Sequence, residues 1–362
     1  MKRSELLQRA DEGEILCDLD LGKHDLSRLD LSGVTFERVN FANASLRAAR
    51  LEAATLIQCK LDRADLGALE ARDITLLDCS LVDCNAAASN LSGALFKRCA
   101  LSGLHASEAR LSFAVFTLCD LDDARLDHAE LSDALISECR LNRTRCTFSE
   151  LARSNLLELD LRSVALAGAR FDATLLVGSD LSGQRLSGAQ FQRSQLNRCS
   201  LRDCDLSGAD LRQCGLYAAQ LQGSDLSGAK LDGATCVSAN LSGALLARCS
   251  ARRAVLMNAD LSGAQCQNAE LRQAILQTAL CRATNFAGAD LRGADLSYAD
   301  ASGASFVGAL LERTRLHRTI DRDTEWGDRS AALHTDPELA EAETWAALSP
   351  GAKRRGSVLD RH

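Results

Sequence analysis

The chain has 362 residues, 25% of them charged and 46% apolar, with a formal net charge of −7. That length is ample for a buried core, and the acidic balance argues against general binding to phosphate backbones. No run approaches the ~18 uncharged apolar residues that a membrane-spanning helix requires. Residues 1–18 open with a short helical pattern, Ser4-Glu5-Leu6-Leu7-Gln8-Arg9-Ala10, expected to cap the segment that follows. They lack the apolar stretch of a secretory signal.

From Leu21 to Leu316 every fifth residue is apolar without a slip of phase, and these 60 centres hold 42 Leu, 8 Phe, 5 Ala, 4 Cys and 1 Ile. The residue two places before each centre is mostly small: Ala 29 times, Cys 10, Ser 6 and Thr 4. None of these 120 positions is Asp, Glu, Lys or Arg. A helix would repeat at about 3.6 residues and a half-buried strand at 2. A period of five with two inward positions instead needs a chain that turns at each unit. Runs such as Leu206-Ser207-Gly208-Ala209 and Leu261-Ser262-Gly263-Ala264 supply the turn, with glycine where a type II turn needs positive φ. No proline occurs before Pro337, which is consistent with continuous backbone pairing.

Units such as Ala289-Asp290-Leu291-Arg292-Gly293 and Ala294-Asp295-Leu296-Ser297-Tyr298 resemble the pentapeptide-repeat family, whose motif is Ala-(Asp/Asn)-Leu-x-x. The resemblance covers residues 19–318 and implies an all-β solenoid: a right-handed quadrilateral β-helix with four units per coil, hence about 15 coils. At roughly 4.7–4.9 Å between neighbouring strands the rod would be about 70 Å long. Residues 1–18 then read as an N-terminal cap, 19–318 as the β-helix, and 319–362 as a C-terminal cap helix and flexible tail. In that last segment Asp336 is a good N-cap, Pro337 fits the first helical position, and the helix should stop at Ser349-Pro350-Gly351.

Fifteen cysteines invite a metal or disulfide reading, but their phase argues for packing. Ten sit in the small inward slot, and Cys146, Cys236, Cys266 and Cys281 are centres; only Cys17 lies outside the repeat. Cys79, Cys99, Cys119 and Cys139 would stack on successive coils near disulfide reach, which favours a reducing compartment and a cytoplasmic location. The six histidines share no metal-ligand spacing, and His24 falls in an inward slot. Neither a phosphate-cradling loop nor a nucleophile elbow occurs. No catalytic residue, cofactor or metal is assigned, and an enzyme is not expected.

Four units per coil sort the outward residues onto four faces. The third face, centred on Leu31, is the most charged, with 13 acidic and 13 basic residues. Large apolar residues at outward positions number 2, 3 and 2 on the first three faces and 15 on the fourth, centred on Phe36, Leu56 and Leu76. The fifteen are Ile57, Leu77, Leu95, Val115, Leu118, Leu135, Leu157, Leu175, Val177, Tyr217, Val237, Val255, Met257, Ile275 and Tyr298. Three explanations stay open at this point: a contact with a protein partner or second copy, β-propensity, and cover by the chain's own C-terminal segment. The reading is a non-catalytic scaffold or adaptor that binds protein along a rigid rod, with no direct nucleic-acid contact. The opening Leu19-Asp20-Leu21 and Asp30-Leu31-Ser32-Gly33 are similar to relatives that accompany bacterial type VI secretion systems. The alternative is a mimic of DNA that binds DNA gyrase or topoisomerase, as the quinolone-resistance members do.

Overall fold

The structure, a computed structural model, describes residues 3–348. The tail around Lys353-Arg354-Arg355 and the helix stop at Ser349-Pro350-Gly351 lie outside the described residues. Helix α1 (Arg3–Asp11) comes first and buries Leu6 at 1% exposure. It leads into β1 (Leu16–Cys17).

From there the backbone pairs in parallel with itself 20 residues on. Asp20 bridges Asn40, Asp25 bridges Ser45, and Asp30 bridges Arg50, and the same offset recurs to the C-terminal end. Each coil therefore has four sides of five residues. Along the fourth side of the N-terminal half the bridges lengthen into three-residue strands. They are β2 (Thr35–Glu37), β3 (Thr55–Ile57), β4 (Thr75–Leu77), β5 (Leu95–Lys97), β6 (Val115–Thr117), β7 (Leu135–Ser137) and β8 (Asn155–Leu157). With β1 these seven form one eight-stranded parallel sheet in sequence order. The ladder continues beyond the sixty repeats, where β9 (Ser305–Phe306) pairs with β10 (Glu325–Trp326), and the solenoid has about 16 turns.

The inward pattern follows from the turns. Ala209 N–H donates to Leu206 O at 3.0 Å and Ala264 N–H to Leu261 O at 2.9 Å, while Gly208 and Gly263 take φ of +65° and +68°. Each turn points the centre and the small slot to the same side. All 60 centres are buried, and the only slots left half-buried are Leu19, His24, Cys139 and Ala189. The interior is solid: two of its voids hold only about 20 Å³ each. Phenylalanines stack where they fall on successive coils, Phe96 on Phe116 at 4.7 Å and Phe171 on Phe191 at 4.6 Å. At the C-terminal end Phe286, Phe306 and Trp326 continue such a stack, Phe306 and Trp326 lying 4.4 Å apart, and Arg329 lies over Trp326. That stack and Leu6 cover the two ends of the core.

The ladder is interrupted at one place. Arg140 does not bridge Asp160, and Ala165 does not bridge Arg185, although the bridges on either side are present. Bulky Leu159 and Val164 fill slots that Ala, Ser or Cys occupy in many coils, and Gln184 follows directly above Val164. A buried amide must find partners. Gln184 Nε2 donates to Leu161 O at 2.6 Å and to Val164 O at 2.8 Å, the second being the carbonyl that the Arg185 N–H takes in a regular coil. The N–H groups of Leu166 and Gly168 are left without a backbone partner, and the opened seam is a slot of about 180 Å³ between residues 166–170 and 185–190. Cys139 and Ala189, two of the four half-buried slots, flank this seam.

Leu201 is 0% exposed at the middle of the intact C-terminal ladder. Leu201→Asp is expected to bury an unpaired carboxylate and cost about 3–5 kcal/mol. Thermal melting followed by circular dichroism checks this, and an unchanged curve would contradict the inward register.

Candidate functional site

The registers place the fifteen apolar residues of the fourth face in rows. Ile57 pairs with Leu77, and Leu95, Val115 and Leu135 follow one another. Leu175 succeeds Asn155, and Val255 is followed by Ile275. The row through Val177, Tyr217, Val237 and Met257 is tied in the same way: Ala218 N–H donates to Val237 O and Ser238 N–H to Met257 O, each at 2.9 Å. The structure thus brings all fifteen onto one side of the rod.

Their exposure is less than composition suggests. Leu118, Leu157, Tyr217 and Tyr298 are exposed, while the other eleven are half-buried. Rows one strand spacing apart cover one another, so part of each side chain's apolar area is spent within the ladder. Other faces also carry exposed apolar residues. Phe113 and Phe148 reach 65% and 59%, the latter stacked on His128 at 5.2 Å. What distinguishes the fourth face is recurrence: from Ile57 to Ile275 every coil but that of Gln195 and Asn197 places an apolar residue on it.

The C-terminal end of this face is covered by the chain itself. Helix α2 (Pro337–Leu348) begins as its sequence dictates, with Asp336 Oδ1 accepting from the N–H of Glu338 at 3.0 Å and of Leu339 at 3.1 Å. Glu343 on this helix accepts the Tyr298 hydroxyl, pairs with Arg318 at 2.9 Å and lies 3.3 Å from His317 Nε2. Arg318 also donates to Ala340 O at 2.6 Å. These bonds hold the Glu343 carboxyl below the usual carboxylate range, the Tyr298 hydroxyl contributing most. Among the described residues Tyr298 is the one of the fifteen hydrogen-bonded to α2, and a helix of 12 residues spans about 18 Å, a few coils of the stripe.

Thiols sit behind the strands of this face. In a type II turn the fourth residue's N–H closes on the first residue's carbonyl. At the strand-type corners this closure is missing, and cysteine replaces it. Cys79, Cys99 and Cys119 Sγ contact the carbonyls of Leu56, Leu76 and Phe96 at 3.3–3.4 Å. Cys59 N–H donates to Cys79 Sγ, and Cys119 N–H to Cys139 Sγ, both at 3.4 Å. The sequence marked these cysteines only as fillers of space. Cys84, Cys199 and Cys214 reach the equivalent carbonyls of Leu61, Leu176 and Phe191 at type II turns. Acceptance of a backbone N–H by Sγ is therefore what belongs to the strand-type corners, which the five-residue period does not encode. Elsewhere burial pushes Cys84, Cys199, Cys214 and Cys236 up to about 12, so those thiols are protonated at neutral pH.

The charged faces are ion-paired from coil to coil. Arg98 forks onto Asp78 at 2.5 and 2.7 Å, and Arg143 onto Asp123 at 2.7 and 2.5 Å. Arg153 does the same to Asp133 at 2.8 and 2.6 Å. The arginine bonds hold all three carboxyls below the usual range. Solvent screens exposed pairs of this kind, so they contribute little to stability. His24 Nδ1 lies 3.0 Å from Gly22 O, a local contact. Among the described residues no three or more His, Cys, Asp or Glu side chains gather as a metal site, and no helix is long and apolar enough to cross a membrane.

The family model for pentapeptide repeats matches residues 20–67, 96–133, 107–143, 165–203, 199–235, 239–277 and 279–318, well over half of the chain. The chain belongs to the pentapeptide-repeat family. No curated protein matches it. Among solved pentapeptide-repeat structures it is similar to a trypsin-treated form of QnrB1, a plasmid-mediated fluoroquinolone resistance protein. That match has 20% identity and a TM-score of 0.31, and covers 57% of this chain and 90% of that one. It is also similar to HetL, a pentapeptide-repeat protein involved in heterocyst differentiation regulation in the cyanobacterium Nostoc sp. strain PCC 7120, with 24% identity over 87% of this chain and 96% of that one and a TM-score of 0.14. The assignment to the family rests on the repeats themselves.

All fifteen cysteines are free thiols, and only Cys17 and Cys139 are not fully buried. The sequence phase marked Cys17 alone as accessible; Cys139 joins it because the coil above is lifted at the seam. A thiol reagent is therefore expected to label at most these two in the native protein and all fifteen after denaturation. Intact-mass spectrometry counts the adducts, and rapid native labelling of several further thiols would contradict the packing.

Proposed function

We propose that this pentapeptide-repeat protein is a non-catalytic scaffold that binds a protein partner, or a second copy, along the fourth face of the rod. The observation that carries this reading is the stripe of apolar side chains that recurs on the coils from Ile57 to Ile275, broken only at Gln195 and Asn197, on a rod whose other faces are mostly polar. Removing apolar area from water contributes about 25 cal/mol per Å², before the costs of association. A rigid rod suits this use, because its side chains are ordered before a partner arrives. The opening repeats, similar to those of proteins accompanying bacterial type VI secretion systems, favour an adaptor within such an assembly, and fifteen reduced thiols favour the cytoplasm.

The mimic of DNA, directed at gyrase or topoisomerase, is less well supported. That role needs an uncompensated acidic surface. Here Asp78, Asp123 and Asp133 are each held by an arginine one coil away.

The combined variant Leu157→Thr, Val177→Lys and Val237→Thr is expected to weaken self-association or capture of a partner from a host extract, with melting unchanged. The matched change on the second face, Ser187→Thr, Ser207→Lys and Ser227→Thr, should have no effect. Sedimentation velocity and pull-down on both variants beside wild type test this. Equal behaviour of all three would reduce the stripe to β-propensity.

A further inference from the structure

The third face is the most charged, and its charges are sorted along the rod. Among its outward positions from 30 to 173, acidic residues outnumber basic ones 8 to 5; from 190 to 313 the balance reverses to 5 against 8. The basic half borders a groove of about 910 Å³. Arg252, Arg272 and Arg292 stand one coil apart along it, and Arg253 and Arg313 line the adjacent row. Its acidic lining residues are Asp232 and Glu312. The groove exists because Gly233 and Gly293 occupy the arginine row with no side chain, at turn positions of φ +67° and +69°.

Three of the guanidiniums are already oriented. Glu270 holds Arg252 at 2.5 Å, and Asp290 holds both Arg272 at 2.6 Å and Arg292 at 2.8 Å. A guanidinium has five N–H donors in a planar fork, so one carboxylate leaves donors over. Arg253 donates only to Gln273 Oε1 at 3.0 Å, and among the described residues neither Arg253 nor Arg313 has a carboxylate partner. Successive coils repeat at about 4.8 Å, closer than the roughly 6.7 Å between alternate side chains of an extended peptide, so the arginine ladder is denser than the carboxylates of an acidic strand lying along the groove.

We propose that this groove docks an extended, acidic polypeptide segment. The lining contains no aromatic ring on which a base could stack, which favours carboxylates over a nucleic acid. The site lies on a different face from the apolar stripe, so the two stand or fall separately.

The test titrates the full chain at low salt with a labelled oligoglutamate peptide and, in parallel, with oligothymidylate. Oligoglutamate is expected to bind saturably and to weaken with salt. The pair Arg253→Gln and Arg313→Gln should lower its affinity about tenfold, the effect of removing a charge-assisted contact. The pair Arg47→Gln and Arg248→Gln on the second face, with the same loss of charge, should leave the affinity unchanged. Absence of oligoglutamate binding, equal loss in both variants, or preference for oligothymidylate would each overturn the proposal.

Discussion

A backbone N–H in this protein pairs with a carbonyl of the coil above or below or closes its own turn, and that requirement organises the rest of the molecule. Pairing at an offset of 20 residues demands four equal sides per coil, and equal sides demand five residues each. A corner every five residues in turn demands a left-handed residue at the turn, which glycine accepts freely and which arginine, aspartate or alanine accept at about 1 kcal/mol or more apiece. Many corners here carry such residues, for example Arg63 and Ala68, so the ladder and the packed axis must offset a repeated local strain.

The same constraint explains what the sequence reveals and what it hides. The inward register is legible because a charge in the axis has no partner, and so Leu201 or Ala209 can be placed from phase alone. The apolar stripe is legible too, since its residues recur at the coil period. The degree to which those residues cover one another depends on side-chain packing between coils, and so Val177 and Val237 are half-buried where composition implies exposure. The corner type is hidden as well. Cys79 and Cys199 occupy equivalent slots of the fourth face, yet Cys199 N–H closes a type II turn on Leu196 O, while Cys79 backs a strand. A strand-type corner pairs best with another of its kind, and this cooperation between neighbouring coils is absent from any single five-residue unit.

Gln184 shows how one residue disturbs such a structure locally. Its amide is satisfied in part by Val164 O, a carbonyl that the Arg185 N–H would otherwise take, and beside it the N–H groups of Leu166 and Gly168 also lack a backbone partner. The strands of the fourth face also end at Asn155–Leu157, in the coil below this seam. The rod therefore consists of two regular stretches that differ in corner type and meet where the ladder opens. The two proposed surfaces divide along similar lines: the apolar stripe runs through both stretches, whereas the arginine groove belongs to the C-terminal one.

Native-state hydrogen exchange read by NMR tests the ladder most directly, because it reports each N–H separately. The account predicts slow exchange at Leu186, Leu201 and Leu206, whose N–H groups donate to the next coil at 2.7 Å, and fast exchange at Leu166 and Gly168 in the seam. Uniform protection through residues 160–190, or rapid exchange at Leu201 and Leu206, would contradict it.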